Sequence, residues 1–267
     1  MWSKEPNEII REENAEAEIV IYCVQGDREE QQDTFGCLLS DNKLICVVAD
    51  GMGGLENGRS ASESTVKMIL SAFRSEEEMQ IEQELMEPIR AADNQLANEK
   101  KDSNSNRGAG STVVAVILQN GMLRWASVGD SRAYLFREGK YVQLTKDQNY
   151  KTYLDESLRA KRITPEEYSE MMDQQDALIN YIGMGMLQDS GFIDSNSESL
   201  MLQSGDTILV MSDGVYRIMP EEEINRMICN VPDIVNLAQT MEMWMVSKSK
   251  TKGQERDNTT LAVIRIK

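Results

Sequence analysis

The chain contains no histidine, and that absence removes the commonest general base and the commonest zinc ligand. Histidine triads and zinc-protease mechanisms are closed to it. Any chemistry must run on carboxylates, hydroxyls, amines or a bound metal. No apolar run approaches the roughly 18 residues that a membrane-spanning helix needs. The N-terminus, MWSKEPNEIIREENAEAE, is charged throughout and does not read as a secretory signal. None of the four cysteines belongs to a CxxC pair; Cys23, Cys37, Cys46 and Cys229 each sit in an apolar segment. That pattern predicts reduced, buried, inert thiols in a cytoplasmic protein. Basic residues are also scarce, with 28 Lys and Arg against 45 Asp and Glu for a net charge of −17. Such a field repels nucleic acid and anionic lipid, so neither is expected as a partner.

What is present is ample for a core. The chain has 267 residues, of which 40% are hydrophobic. After a polar leader over residues 1–17, β-type runs occur at Ile19–Val24, Thr34–Leu39 and Leu44–Ala49. Two helical patterns follow, one with Thr65, Ile69 and Phe73, the other with Ile81, Leu85, Ile89, Ala92 and Leu96. The turn-rich stretch KKDSNSNRGAG leads into strands in hairpin order at Ser111–Leu118, Met122–Val128, Arg132–Phe136 and Tyr141–Leu144. Residues 146–198 are polar and irregular, with a short helical patch at Pro165–Met172. Strands at Ser199–Leu202, Thr207–Met211 and Thr259–Ile266 bracket helices near 220–229 and 232–246. Antiparallel strands with helices inserted in pairs predict α+β layers rather than a doubly wound parallel sheet. No internal repeat or long linker divides residues 18–267, which read as one domain. Met241 and Met245 beside Trp244 read as core filler at helical spacing.

The stretch VVADGMGG, residues 47–54, ends an apolar strand on a bare carboxylate, Asp50, beside a nearly side-chain-free loop. Asp213, Asp257, Asp130 and Asp33 likewise stand at the ends of apolar strands. Taken singly, each Asp-Gly or Asp-Asn is an ordinary turn former. Five together read differently, because strand ends on one sheet edge converge and like carboxylates must then be protonated or neutralised. A divalent ion is the simplest neutraliser, and an all-oxygen site selects Mg²⁺ or Mn²⁺. A direct phosphate cradle fits less well: the loop lacks a GK[ST] ending, and Asp50 would repel an unescorted phosphate.

Seven segments in order, GDREEQQD (26–33), VVADGMGG, GAGSTVVAVIL, ASVGDSRAYLFREG, ITPEE, GDTILVMSDGV and RDNTTLAVI, make the chain resemble the bacterial metal-dependent protein phosphatases of type 2C. The resemblance covers about residues 19–266. It implies a four-layer α-β-β-α sandwich, two central antiparallel sheets flanked by helix pairs, with a metal cluster at one end. By that likeness Asp50 bridges two Mn²⁺ or Mg²⁺ ions, Gly51 offers its carbonyl to one of them, Asp33 binds directly or through the cluster's waters, and Asp213 and Asp257 complete the pair. Asp130 with Asp213 matches the position of a third ion. Arg28 matches the arginine that grips the substrate phosphate, for which a fork suits better than an ammonium; read alone, Arg28 is a surface ion pair with Glu29 or Glu30. The implied reaction is attack of a metal-activated water on phosphoserine or phosphothreonine, opposing a Ser/Thr kinase. The implied partners are phosphoproteins and such a kinase with its targets, and the expected state is a monomer.

The pattern is broken in places. Gln32 stands where relatives usually carry Glu, removing a charge beside the ligands. Met52 and Leu55 stand where eukaryotic and many bacterial members, respectively, carry histidine. Asp147-Gln148 replaces an aspartate-histidine start to the flap-like insertion at 146–198, and Tyr181–Gly185 replaces a more basic stretch. The alternative function is a pseudophosphatase that binds a phosphoprotein without turning it over; a small-molecule phosphatase is a third.

Overall fold

The computed structural model describes residues 8–53, 55–73, 85–102, 108–188 and 190–267. The strands begin with β1 (Glu8–Glu13), β2 (Ala17–Val24), β3 (Asp33–Ser40), β4 (Lys43–Met52) and β5 (Gly110–Ser111). They continue as β6 (Val113–Gln119), β7 (Met122–Val128), β8 (Arg132–Arg137), β9 (Lys140–Gln143) and β10 (Asp194–Ser195). The last three are β11 (Leu200–Met201), β12 (Thr207–Met211) and β13 (Thr259–Ile266). The helices are α1 (Leu55–Ala72), α2 (Met86–Asp102), α3 (Tyr150–Arg159), α4 (Pro165–Met171), α5 (Asp213–Tyr216), α6 (Glu221–Asn230) and α7 (Ile234–Lys252). Ile81, Gly54 and the side chain of Leu55 lie outside the described residues, as does part of the 100–110 connector.

Two antiparallel sheets form. One runs β1-β2-β13-β12-β8-β9; the other runs β10-β7-β6-β4-β3, with β11 on β7 and β5 on β4. Side-chain alternation explains the layers. On β4, Leu44, Cys46 and Val48 enter a cluster with Ile208, Val210, Ala262 and Ile264 of the facing sheet. The intervening Ile45, Val47 and Ala49 pack on Val66, Ile69 and Leu70 of α1 and Ile89 of α2. On the other sheet, Leu209, Met211, Leu261 and Val263 turn outward onto Leu237, Met241 and Met245 of α7 and Ile224 of α6. Central strands buried on both faces read as continuous apolar runs, and the result is the expected four-layer α-β-β-α sandwich.

Two readings of the sequence are corrected. Residues 8–13, assigned to the polar leader, form an edge strand whose ladder pairs Ile10 with Ile21. Only Ile10 of β1 enters the core, and one inward side chain gives too weak an alternation to be seen. Cys229 is exposed, unlike Cys23, Cys37 and Cys46. It lies on α6 well off the face that buries Ile224.

Candidate metal and phosphate site

The antiparallel ladders bring the aspartate-bearing strand ends to one edge of the sandwich. Asp33 opens β3 directly opposite Asp50 on β4. The end of β12, which leads into Asp213, lies beside the start of β13, just after Asp257, and beside the start of β8, just after Asp130. Arg28, Asp50, Gly51, Asp130, Asp213 and Asp257 line one cleft of about 670 Å³, and Asp33 is buried behind Asp50. The residues expected to hold metal and phosphate are therefore gathered at one place.

The backbone at the Asp50 turn is fixed from several sides. Its N–H donates to the Thr112 hydroxyl at 3.1 Å, and its carbonyl accepts from Thr112 N at 2.8 Å. Gly51 N donates to the Gln32 carbonyl at 3.1 Å. A Cβ at Gly51 would stand 2.0 Å from the Gly58 carbonyl oxygen on α1, so only glycine lets the helix seat against the strand here. Gly53, at φ +122°, adopts a conformation that other residues rarely reach, with Ala109 against it. The glycines flanking Asp50 are thus required by packing.

Desolvation dominates the electrostatics. Burial pushes Asp33 up to about 6, opposed by the hydrogen bond from Ser212 and reinforced by Asp257. Burial likewise pushes Asp213 up to about 7, with Arg217 pulling it down and Asp130, Asp257 and Asp33 adding to the rise. Asp50 is held well above the carboxylate range by burial first, then by Asp33, Asp213, Asp130 and Asp257 in turn. Asp130 is raised by burial. Such a cluster has a high affinity for positive charge.

That charge comes in part from the chain itself. Arg28 donates to Asp257 Oδ2 at 2.7 Å, so its ion-pair partner is Asp257, not the neighbouring Glu29 or Glu30. Arg217 pairs with Asp213 Oδ2 at 2.8 Å. Ser212 Oγ donates to Asp33 Oδ2 at 2.7 Å, whereas the buried Asp33 Oδ1 has no hydrogen-bond partner among the described residues. Among the described residues no three carboxylates converge tightly enough to enclose an ion as they stand. The donor set nonetheless suits a hard divalent cation: it is all oxygen, and it includes a buried carboxylate oxygen that no hydrogen bond among the described residues satisfies.

The departures from the family pattern have physical roles. Gln32 packs its side chain toward Gly58, and Met52 lines the cleft. Asp147 takes a forked pair from Arg132, with Arg132 Nη2 to Oδ2 at 2.7 Å. Gln148 bridges Gly129 N and the Phe192 carbonyl. The insertion at 146–198 contains α3 and α4 and sends Asp176, Ala177 and Leu178 into the cleft wall. The capping box of Thr164 with Glu167 starts α4.

Two residues escaped the sequence reading. Asp93, fully buried on α2, accepts from the backbone N–H groups of Gly183, Gly185 and Leu187 at 2.7, 2.9 and 3.0 Å and anchors the glycine-rich stretch of the insertion. Its signal was a carboxylate within the apolar stripe of Ile89, Ala92 and Leu96. Arg217 lines the cleft opposite no sequence motif, and its signal was the four-residue step from Asp213.

The protein phosphatase 2C family model matches residues 25–250. A serine/threonine phosphatase stp of Listeria welshimeri is 28% identical over 243 residues, covering 89% of this chain and 91% of its own. The structure of the serine/threonine phosphatase Stp1 from Staphylococcus aureus superposes with a TM-score of 0.79 at 23% identity, over 95% of this chain and 96% of that one. The catalytic domain of the serine/threonine phosphatase PstP, solved with two manganese ions, gives 0.73 at 21% identity, over 94% and 98%. With the sandwich, the clustered strand-end aspartates and a match across most of its length, the chain belongs to the protein phosphatase 2C family.

Proposed function

We propose that the protein hydrolyses phosphoserine and phosphothreonine in phosphoproteins, opposing a Ser/Thr kinase, at a pair of Mn²⁺ or Mg²⁺ ions. In this reading Asp50, Asp33, Asp213, Asp257 and the Gly51 carbonyl would hold the ions, with Asp50 as the central ligand. Two manganese ions in the PstP structure support the count by analogy. The observation that carries the reading is Asp50 itself, a cleft-lining carboxylate whose proton affinity is raised by burial first and then by four neighbouring aspartates, of which Asp130, Asp213 and Asp257 line the same cleft.

When bound, the ions supply an activated water and positive charge for the phosphoryl oxygens. The chain supplies the geometry. Asp33 and Asp50, fixed opposite each other in the ladder, set the spacing of the donors. Gly51, which carries no side chain, lines the cleft beside Asp50. Arg28, on the exposed rim, is poised to trade part of its pairing with Asp257 for a phosphate oxygen, and its planar fork fixes the phosphate's orientation. No imidazole is present to protonate the departing alkoxide, so that proton comes from water or from a carboxyl group of the cleft.

The test is phosphate release from a phosphothreonine peptide with and without Mn²⁺, beside the Asp50→Ala variant. Release that requires Mn²⁺ and disappears in the variant is expected. Metal-dependent binding of the peptide with no release would favour the pseudophosphatase.

A further inference from the structure

Arg217 is a charged cleft residue whose chemistry the proposed reaction leaves unused. It projects from the end of α5 and lines the same cleft as Arg28. Its Nη2 reaches Asp213 Oδ2 at 2.8 Å and Asp176 Oδ1 of the insertion at 3.8 Å. The helical step from Asp213 is reinforced by the Arg217 N–H to Asp213 carbonyl bond at 3.0 Å. Tyr216, its neighbour, is itself immobilised: its hydroxyl donates to the Asp130 carbonyl at 3.0 Å, and Arg132 stacks on its ring at 3.6 Å. The segment that carries Arg217 is thus tied to the Asp130 turn as well as to Asp213.

Resting on the metal reading above, we propose that Arg217 is a tethered cation at Asp213, in the place where the family likeness implies a third ion shared by Asp130 and Asp213. The centre then loads two divalent ions, and Asp130 is not a metal ligand. Two arguments support this. The guanidinium already occupies one oxygen of Asp213, so an ion shared by Asp213 and Asp130 would have to displace a charge-assisted hydrogen bond. A bound ion and a guanidinium in that space would also repel each other across a few ångströms, in a site where burial weakens solvent screening. Arginine suits the role because it stays protonated at any working pH. Asp176 extends its reach to the insertion, so this positioning residue also couples the cleft wall to the site.

The experiment is the number of Mn²⁺ ions bound per chain, by isothermal titration and elemental analysis at millimolar metal, for wild type, Arg217→Gln and Arg217→Lys. Circular dichroism of each variant checks that it folds. Wild type should bind two ions. Arg217→Gln, which removes the charge and keeps a polar side chain, should gain a third. Arg217→Lys should remain at two, because the positive charge is restored. Three ions in wild type, or two in Arg217→Gln, would overturn the inference while leaving the metal reading intact. No binding by wild type would overturn the metal reading itself, and the inference with it. Should Arg217→Gln fail to fold, Asp130→Asn decides: a count that stays at two supports the inference, and loss of an ion overturns it.

Discussion

Asp33 and Asp50 stand directly opposite each other on adjacent strands, both at the end of the ladder that faces the cleft. Like charges in that relation destabilise a sheet, and burial adds to the penalty. Such a pair persists only if protons or cations neutralise it. The account of this protein follows from that relationship.

Its first consequence concerns pH. Asp33 at about 6 and Asp213 at about 7 are both raised above the carboxylate range of an unfolded chain. Between about pH 4 and 7 the folded state therefore binds protons that the unfolded state has released, and stability falls as pH rises through that window. The strong net negative charge acts in the same direction. In chelator, the melting temperature should be higher at pH 5.5 than at pH 8, and Asp50→Asn should flatten the dependence. With saturating Mn²⁺ the slope should reverse, because protons then compete with metal.

Metal should also stabilise the fold. An ion at 100 times its Kd adds about 2.7 kcal/mol if the unfolded chain binds none, which for a domain of this size corresponds to roughly 5 °C. Thermal melts in chelator and in Mn²⁺ measure this. Coincident curves would argue that the aspartates hold no ion. Gln32→Glu restores a charge next to the ligands and should tighten Mn²⁺ about 10-fold.

Arg28 tests substrate recognition separately from metal. Its exposed fork pairs with Asp257 at 2.7 Å, and a hydrogen bond to a charged group contributes about 1.5–3 kcal/mol. Arg28→Ala should lower kcat/KM for a phosphopeptide about 10- to 100-fold, and Arg28→Lys should recover only part of that, since an ammonium cannot reproduce the fork. The Mn²⁺ count should be unchanged in both. A fall in metal binding would show that Arg28 acts through Asp257 instead.

How much of this could be read from the sequence depended on locality. Asp50 was legible because a carboxylate abruptly ends an apolar run, and the four layers were legible because β4, β6, β12 and β13 are buried on both faces. The Arg28–Asp257 pair was not, since its members lie 229 residues apart; the sequence suggested the adjacent glutamates. Arg217 and Asp93 were missed for a related reason. Each is an ordinary charged residue on a helix until tertiary packing sets it against Asp213 or against the backbone of Gly183 and Gly185. Glu8–Glu13 was read as leader because an edge strand facing solvent on one side needs few apolar residues.

The claim at the centre of the account is that Asp50 organises a divalent metal site, and Mn²⁺ titration calorimetry of wild type against Asp50→Ala tests it most directly. The account predicts at least two ions bound to wild type and a loss of that binding in the variant, with circular dichroism and cooperative melting preserved. Binding by Asp50→Ala with the stoichiometry and affinity of wild type would contradict it.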